Sequence, residues 1–515
     1  RRFAFGEGAV DTSRSSRGVG DATATMLVNR KKAGATGGRP PAPKSSSLGL
    51  VKMSEFQRKI VVVSLLILPT CLFVGVLLSQ VKSEMRCRPM SSRYIKKLDL
   101  RGCNFKKLPK NVLEGGFPNL RKLDASNNLL SDFVVKEGTL NKLEILFLSS
   151  NEFTQIPDVS HLKSLRVIGM RHNHIQKLDC SLLPYETLQW LILTGNRIKA
   201  IPDSIGNMTK IRKLMLSHNE ITDVSDRLED VKVLEMIRIA NNKLQKLPEI
   251  LEKMPRLAWI AAGGNPFTEK LLNRSRSIKP AIGLENIRIG HLLGKGSGGH
   301  IFRGNYEGDT VAVKIYNDQG FFSDGSPSGE ITSHSVLDHP NIAGSIGYLS
   351  SPNKGLVMDY LPNARVLGVA PSLDTITRDM PPEIPKEIEF FKKGHVLLGI
   401  LHLAQALEYM HKQGFAHGDI YLHNTIEVNR GESAKIYLSD LGAAFPYDVT
   451  QDPWVERVEV SAFARLIEDI WTFSTASGSI ALDEPVGKKL EAAAKACEGK
   501  TKFQEVTHYL MQEAF

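Results

Sequence analysis

Cysteine is scarce in this chain, with five residues in 515. Cys71 lies in a long apolar run, and Cys87, Cys103, Cys180 and Cys497 show neither the paired spacing of a disulfide framework nor the spacing of a zinc site. The sequence therefore gives no sign of a metal-binding cysteine cluster, and it does not ask for an oxidising compartment.

A basic surface is also missing from most of the chain. The formal net charge is +11, but residues 1–59 hold twelve Lys and Arg against four Asp and Glu, which accounts for eight of the eleven positive charges. The rest is nearly neutral, so nothing indicates nucleic-acid binding. The first fifty residues are rich in Gly, Ser, Ala, Pro and Arg, a composition typical of disorder.

Long apolar runs are rare, and a single one stands out. Residues 60–81 contain twenty-two residues without a charge, enough to cross a bilayer as a helix at ~1.5 Å per residue. A signal peptide beginning at Met53 is the alternative, but no small-x-small cleavage site follows the run. We expect a transmembrane helix here, with no second span after it.

From residue 86 to residue 268 the pattern LxxLxLxxNxL recurs. Its landmark positions, 22 to 25 residues apart, are Cys103, Asn128, Asn151, Asn173, Asn196, Asn219, Asn242 and Asn265. This period is that of a leucine-rich repeat, in which stacked units bury a continuous core. The asparagine amides are expected to bond to backbone groups at the bends rather than to take part in catalysis. The sequence predicts an α/β leucine-rich-repeat solenoid of about eight repeats, then a linker at 269–283.

The concave face of this solenoid is predicted to be unusually apolar. The positions on either side of the central Leu of each strand point away from the core, and they include Ile145, Phe147, Val167, Trp190, Ile192, Met215, Met236 and Trp259. A contiguous apolar patch of this kind indicates a binding site. Two occupants are equally expected, namely a separate protein ligand or the C-terminal domain of the same chain.

The sequence after residue 284 carries motifs typical of a phosphoryl-transfer site. Gly294, Gly296 and Gly299 predict a loop whose backbone N–H groups close over nucleotide phosphates. Lys314 ends the apolar run VAVK, where its ammonium would reach the α- and β-phosphates. Glu330, on a predicted helix, is placed to form an ion pair with Lys314.

Three polar residues further along the chain complete this pattern. HGDIYLHN supplies Asp419 and Asn424, and LSDLG supplies Asp440 between an apolar strand and a glycine. Asp419 would orient the attacking hydroxyl and accept its proton, whereas Asn424 and Asp440 would hold Mg²⁺. Each motif is weak alone, but their order and spacing together indicate an ATP-dependent phosphotransferase.

Over about residues 284–515 these motifs resemble the protein-kinase family. With the repeats, PSLDTITRD, DLGAAF and VEVSAFARLIEDI, the chain resembles leucine-rich-repeat-containing kinases of bacteria and some unicellular eukaryotes. The resemblance implies a two-lobed α+β protein-kinase-like domain with ATP and Mg²⁺ as cofactors, and a hinge MDYLP with Met358 as gatekeeper. The implied ATP-binding residues are Gly294, Gly296, Gly299, Ile301, Ala312, Lys314, Met358, Asp359, Tyr360 and Leu361.

Several positions depart from the ordinary protein-kinase pattern. Gly418 stands where most protein kinases have the Arg that binds a phosphorylated activation loop, so no such switch is expected. Tyr421 stands where serine/threonine kinases have a Lys that helps to hold the transferring phosphate, so one cation is missing or comes from elsewhere. About sixteen residues separate Gly442 from Glu459, without an Ala-Pro-Glu triplet. The peptide-docking platform is therefore expected to be small or absent.

These features predict an ATP- and Mg²⁺-dependent protein kinase, serine/threonine-specific by expectation, whose repeats recognise a protein partner. Two alternatives stay open. The HGD motif with few C-lobe elements also resembles small-molecule phosphotransferases, and a nucleotide-binding pseudokinase scaffold would carry the same motifs. Because ATP is used, we expect the repeats and the kinase-like domain to face the cytosol from a membrane anchor at 60–81. A soluble cytoplasmic protein is the alternative if residues 1–81 are not part of the natural protein.

Overall fold

The computed structural model describes residues 3–4, 86–272, 279–296, 298–317, 324–350, 354–383, 395–430, 433–478, 480 and 484–514. The predicted span at 60–81 and nearly all of the predicted tail at 1–59 lie outside these residues. Within the described ranges, no helix is both long enough and apolar enough to cross a bilayer.

Eight short strands of the repeat region form one parallel sheet, in which successive repeats lie side by side. The strands are Lys97–Asp99, Lys122–Asp124, Ile145–Phe147, Val167–Gly169, Trp190–Ile192, Lys213–Met215, Met236–Arg238 and Trp259–Ala261. The return segments include the paired strands Ala200–Ile201 and Asp223–Val224, the α-helix Lys110–Leu113, and the 3₁₀-helices Cys180–Leu182, Asp203–Asn207, Asp226–Asp230 and Glu249–Lys253. This is the leucine-rich-repeat solenoid that the period of the sequence predicts.

The repeat pattern decides which strand residues face the solenoid core. Central residues such as Ile237 are fully buried in that core, and the flanking residues point to the opposite face because strand side chains alternate. The landmark asparagines close the bends. The amide nitrogen of Asn151 donates to the carbonyls of Ala125 and Leu148 at 3.1 and 3.0 Å, and its oxygen accepts from the Leu130 N–H at 2.9 Å. These asparagines therefore hold the backbone, as expected.

The N-terminal end of the solenoid corrects one expectation. Cys87 and Cys103, for which the sequence suggested no pairing, form a disulfide with their Cα atoms 5.4 Å apart. Cys103 occupies the first landmark position, so the bond ties the segment before the first strand to the first bend. Among the described cysteines, Cys180 and Cys497 are buried thiols. The prediction that the cysteines do not pair was wrong, because a single bond in a terminal cap has no repeated spacing.

The C-terminal half begins with a mixed sheet and one helix. The sheet strands are Ala281–Ile282, Ile287–Lys295, Gly299–Tyr306, Asp309–Tyr316, Ser345–Leu349 and Gly355–Asp359, with Phe3–Ala4 added at one edge. The helix Pro327–Val336 carries Glu330, as predicted, and is called the Glu330 helix below. The stretch predicted as a linker is partly structured, because the helix Pro266–Leu272 ends within it and Ala281–Ile282 joins the sheet.

The rest of the C-terminal half is mainly helical. Its helices are Val396–Lys412, Trp454–Ala476, Pro485–Ala496 and Phe503–Ala514. A three-stranded sheet is formed by Ala364–Val366, Thr425–Arg430 and Ser433–Leu438, and Phe415–Ala416 pairs with Phe445–Pro446. A strand-rich lobe followed by a helix-rich lobe is the two-lobed α+β arrangement that the sequence predicts.

The solenoid and the C-terminal domain share their apolar cores. Phe445 and Trp454 of the C-terminal domain belong to the same buried cluster as Ile260 of the last repeat. Conversely, Met236 and Trp259 of the repeats belong to the core of the helical lobe. An interface of this kind is continuous with both interiors, so the two domains form one packed body rather than two tethered ones.

The predicted apolar patch on the concave face is covered by the segment 371–379 and its surroundings. Trp190 is only 6% exposed and packs in a buried cluster with Ile376 of this segment. The same cluster contains Val167, Ile192 and Met215, with Ile145, Phe147 and Leu373 at its edge. Of the two occupants that the sequence left open, these contacts favour the protein's own C-terminal domain.

Candidate active site

The predicted glycine-rich loop is the turn of an antiparallel hairpin. The Gly296 N–H donates to the Gly299 carbonyl at 2.8 Å and closes the turn. A Cβ on Gly299 would lie 2.3 Å from the carbonyl oxygen of Ile315, so only glycine fits against the neighbouring strand. Gly294 pairs with Ile301 across the hairpin. The three predicted glycines therefore lie within one short backbone loop.

The following strands carry the other residues predicted to contact ATP. Ile301 pairs with Lys314, and Ala312 pairs with Met358, so these four residues lie on three adjacent strands. The predicted hinge continues from the last of these strands through Asp359, Tyr360 and Leu361. The structure thus brings the predicted nucleotide-binding residues to one region of the sheet.

Lys314 lies between two carboxylates. Its ammonium is 2.6 Å from Glu330 Oε1 and 3.6 Å from Asp440 Oδ1. Burial opposes the charge on Lys314, but the attraction of Glu330 and Asp440 outweighs it, and the pKa of the ammonium is raised. The pKa of Asp440 is lowered because Lys314 and the Gly442 N–H outweigh the effect of burial. The predicted ion pair is therefore present, and it extends to the predicted metal ligand.

The residues 417–424, called the Asp419 loop below, bring the predicted catalytic carboxylate to the predicted amide ligand. The Asn424 amide nitrogen donates to Asp419 Oδ2 at 2.9 Å and to the Asp419 carbonyl at 2.8 Å. Both side chains are buried, with the whole Asp419 residue 7% exposed. Asn424 therefore fixes the orientation of the Asp419 carboxylate.

Two further carboxylates hold the Asp419 loop in place, and the sequence analysis missed both roles. Asp379, at the end of PSLDTITRD, accepts from the His423 backbone N–H at 2.9 Å and contacts His423 Nδ1 at 2.7 Å. Glu459 accepts from the backbone N–H groups of His417 and Gly418 at 2.9 and 2.6 Å. For Glu459, the signal in the sequence was an acid that interrupts an apolar helix pattern. For Asp379, it was an acid at the end of a polar turn, where a buried charge would need partners.

The repeat solenoid reaches this loop through an arginine that the sequence analysis also missed. Arg238 Nη2 donates to Asp419 Oδ1 at 2.8 Å, and Nη1 contacts Asp324 of the C-terminal domain. The Arg238 side chain is 6% exposed. It shares the concave face with Met236, because Ile237 between them points to the core. A charge at a concave position surrounded by apolar neighbours was the available signal.

The two residues of the Asp419 loop that depart from the protein-kinase pattern, Gly418 and Tyr421, both lie against the last repeat. Gly418 has a φ of 77°, and a Cβ there would lie 2.6 Å from the Ala443 oxygen and 2.8 Å from the Ile260 oxygen of the last repeat. Tyr421 stacks on Trp259 with ring centroids 4.5 Å apart and an angle of 4° between the planes. An Arg at 418 would not fit, and the position of the usual Lys is filled by an aromatic contact.

The side chains of Asn424 and Asp440 suit a magnesium ion bound together with nucleotide. Amide and carboxylate oxygens are the ligands that Mg²⁺ prefers, and Mg²⁺ commonly takes only one or two protein carboxylates beside phosphates and waters. The Asp440 side chain is 29% exposed, in a left-handed backbone conformation with φ of 58°. Across the described ranges, no group of three or more His, Cys, Asp or Glu is arranged for a metal. The residues present fit Mg²⁺ held jointly with ATP.

Comparison with known proteins identifies both halves of the chain. A model described as protein kinase domain matches residues 287–461, and a model described as leucine rich repeat matches residues 186–244. The chain therefore contains a protein kinase domain, preceded by leucine-rich repeats.

Relatives named as protein kinases are similar to this chain, and each match covers only part of the chain. The mitogen-activated protein kinase kinase kinase dlk-1 of Caenorhabditis briggsae is 28% identical, over 37% of this chain and 22% of its own length. The probable serine/threonine-protein kinase PBL22 of Arabidopsis thaliana is 29% identical, over 25% of this chain and 32% of its own. The cell division control protein 7 of Schizosaccharomyces pombe is 31% identical, over 36% of this chain and 17% of its own. The chain thus spans about a third or less of these relatives.

A solved leucine-rich-repeat protein of Leptospira interrogans is also similar to this chain. It is 29% identical, with a TM-score of 0.32, over 37% of this chain and 48% of that protein.

Proposed function

We propose that this protein is an ATP- and Mg²⁺-dependent protein kinase that phosphorylates serine or threonine. The observation that carries the proposal is the set of contacts around Lys314. Its ammonium bridges Glu330 and Asp440, and within the Asp419 loop Asn424 orients the Asp419 carboxylate. Ionised Lys, a metal-binding pair and an oriented carboxylate are the parts that phosphoryl transfer requires.

Each residue has a distinct task in this proposal. Lys314, held by Glu330, aligns the α- and β-phosphates of ATP. Asn424 and Asp440 hold Mg²⁺, which neutralises charge on the phosphates. Asp419 orients the acceptor hydroxyl and accepts its proton. Since the site does little covalent chemistry of its own, its contribution is positioning and charge neutralisation.

For the repeats, the sequence left two occupants of the concave face open, a protein ligand and the C-terminal domain of the same chain. Their apolar concave face packs on the C-terminal domain around Trp190 and Ile376. We propose that this face positions the kinase domain, and that a separate protein partner binds the parts of the solenoid that remain exposed. The kinase domain needs ATP, so we place both domains on the cytosolic side of any membrane to which the chain is attached.

A small-molecule phosphotransferase is the second candidate, and one observation favours it. Residues between Ala443 and Trp454 do not form an extended peptide-docking platform. Phe445–Pro446 pairs with Phe415–Ala416, and Phe445 and Tyr447 are buried in the core shared with the repeats. Asp419 itself is only 7% exposed.

The two candidates are separated by the acceptor that receives phosphate. Purified full-length protein is incubated with Mg²⁺ and γ-labelled ATP, together with serine/threonine peptide mixtures or with sugars and amino alcohols. We expect label on peptides, and loss of transfer in Lys314→Met and in Asp440→Asn at a temperature at which both variants are still folded. Label only on small molecules would establish the second candidate. Nucleotide binding without transfer to any acceptor, including the protein itself and water, would leave a pseudokinase scaffold.

A further inference from the structure

We propose that Arg238, on a strand of the repeat solenoid, is a catalytic residue of the phosphoryl-transfer site. The active site would then be built jointly by the repeats and the kinase domain. This inference rests on the proposed function, because it assigns a residue to the same reaction.

The position of Arg238 is defined by two carboxylates of the kinase domain. Nη2 donates to Asp419 Oδ1 at 2.8 Å, and Nη1 contacts Asp324. A guanidinium stays charged at every pH at which the protein is folded, and it offers five N–H donors. The positive charge of Arg238 therefore lies beside Asp419, where the transferring group would be bound. A charge this deeply buried in an apolar interface is costly to keep without a function.

The Asp419 loop itself lacks the cation that such a site uses. Tyr421 occupies the position at which the resemblance leads us to expect Lys, and its ring is stacked on Trp259 of the last repeat. In the proposed function Lys314 aligns the α- and β-phosphates of ATP, so it is not the cation that stands beside Asp419. In phosphoryl transfer, negative charge is spread over three oxygens of the transferring group, and a cation near them stabilises the transition state. Arg238 places a cation against the carboxylate that receives the substrate hydroxyl.

The alternative interpretation is that Arg238 inhibits the enzyme, since it contacts the carboxylate that catalysis needs. An inhibitory contact has to be released before the enzyme can act, and the packing of the repeats on the kinase domain opposes that release. Met236 and Trp259, next to Arg238 on the same sheet, are part of the kinase-domain core, and Phe445 is part of the solenoid core. Release would expose these apolar side chains to water. The docked state is therefore the state in which catalysis has to occur.

The site still has room for the chemistry with Arg238 in place. Each Asp419 oxygen has two lone pairs, and the contacts from Arg238 and Asn424 use one on each. The acceptor hydroxyl oxygen forms a bond to the γ-phosphorus, while the bond from that phosphorus to the β–γ bridging oxygen breaks and its electron pair leaves with ADP. The hydroxyl proton passes to Asp419. Arg238 neutralises charge on the transferring group and keeps the Asp419 carboxylate oriented.

The test compares Arg238→Ala and Arg238→Lys with Arg212→Ala in the full-length protein. Arg212 is a matched control, because it also crosses from the repeats to the kinase domain, where it donates to the Thr377 hydroxyl at 3.0 Å, but it does not contact Asp419. We expect Arg238→Ala to lower kcat by about 100-fold or more, as removal of one transition-state donor does, with the KM for ATP within about two-fold. Arg238→Lys retains intermediate activity, added guanidinium partly restores Arg238→Ala, and Arg212→Ala keeps wild-type activity.

A binding measurement without turnover provides the second readout. Mg·ADP with aluminium fluoride imitates the transferring phosphoryl group, whereas Mg·ADP alone does not. We expect Arg238→Ala to lose at least about tenfold in affinity for the fluoride complex, as for interactions made only in the transition state, and to bind Mg·ADP normally. Increased activity of Arg238→Ala would overturn the inference in favour of inhibition. Unchanged kcat, or equal loss of both affinities together with the thermal midpoint, would also overturn it.

The design distinguishes this inference from the function on which it rests. If the wild type transfers phosphate and Arg238→Ala does so equally well, only the inference fails. If the wild type neither transfers phosphate nor binds the fluoride complex, the proposed function fails. If Arg238→Ala does not fold, Arg238→Lys takes its place in these assays, because it keeps the charge at this position. A lysine variant that folds but shows wild-type kcat and wild-type affinity for the fluoride complex would contradict the need for the guanidinium.

Discussion

Replacement of Gly418 by Ala probes how closely the Asp419 loop fits the repeats. Gly418 has a φ of 77°, where an added Cβ costs about 1–2 kcal/mol in an L-residue. The same Cβ would lie 2.6 Å from the Ala443 oxygen and 2.8 Å from the Ile260 oxygen. Both atoms belong to the backbone, so they can yield only if the main chain shifts, at a cost of about 1–3 kcal/mol. We expect Gly418→Ala to reduce the free energy of unfolding by about 2–5 kcal/mol in total.

Gly478 supplies the matched control for this prediction. Its φ is 73°, and nothing lies within 4 Å of the position that a Cβ would take. Gly478→Ala should therefore carry only the backbone term, about 1–2 kcal/mol. Guanidinium-induced unfolding of the two full-length variants gives the difference directly. Equal destabilisation would refute the close packing of Gly418 on Ile260, and with it the docking of the repeats on the Asp419 loop.

Three further predictions test the interface, the charge state of the core and the compartment. Trp190→Ala should lower the free energy of unfolding by about 3–5 kcal/mol, as for a buried aromatic, whereas replacement of Tyr185, a 41% exposed residue of the same solenoid, by Ala should change it by about 0.5 kcal/mol or less. Similar effects of the two substitutions would mean that the concave face is uncovered. Burial lowers the pKa of His334 to about 3, below the value of an unfolded histidine, so the stabilisation by neutral His334 is complete above pH ~6.5 and decreases as the pH falls from there. Between pH 7 and pH 5, urea unfolding should show a smaller loss of unfolding free energy in His334→Gln than in the wild type, and an equal loss would contradict the assignment. The proposed cytosolic placement requires that the Cys87–Cys103 disulfide be reduced in cells, because the cytosol keeps thiols reduced. Mass spectrometry after rapid alkylation should find free thiols, and a disulfide at this pair in cells would place the repeats in an oxidising compartment.

The solenoid could be predicted because its information is local and repeated. Each repeat carries the same apolar positions and the same asparagine, and Asn151 makes the backbone contacts that the template requires. The alternation of strand side chains also placed Trp190 and Met215 correctly on the concave face. The Lys314–Glu330 pair was predictable for a related reason, since a strand and a nearby helix of the same lobe set it.

The contacts between the domains could not be predicted in the same way. Arg238 and Asp419 are 181 residues apart in sequence, and nothing in either local pattern records that they meet. The apolar concave face showed that something must cover it, but apolar contacts lack direction and do not identify the occupant. The disulfide of Cys87 was missed because it caps one end of the array and has no counterpart in the repeats.

Transfer of phosphate from ATP by the full-length protein, compared between wild type and Asp419→Asn, tests the central claim most directly. The substitution keeps the size of the side chain and removes the carboxylate that accepts the hydroxyl proton. We predict Mg²⁺-dependent label on serine or threonine with the wild type, and a loss of at least about 100-fold in Asp419→Asn with Mg·ATP binding retained. Equal transfer by both proteins, or binding of Mg·ATP by the wild type with no transfer to any acceptor, would contradict the assignment of this site as a protein-kinase active site.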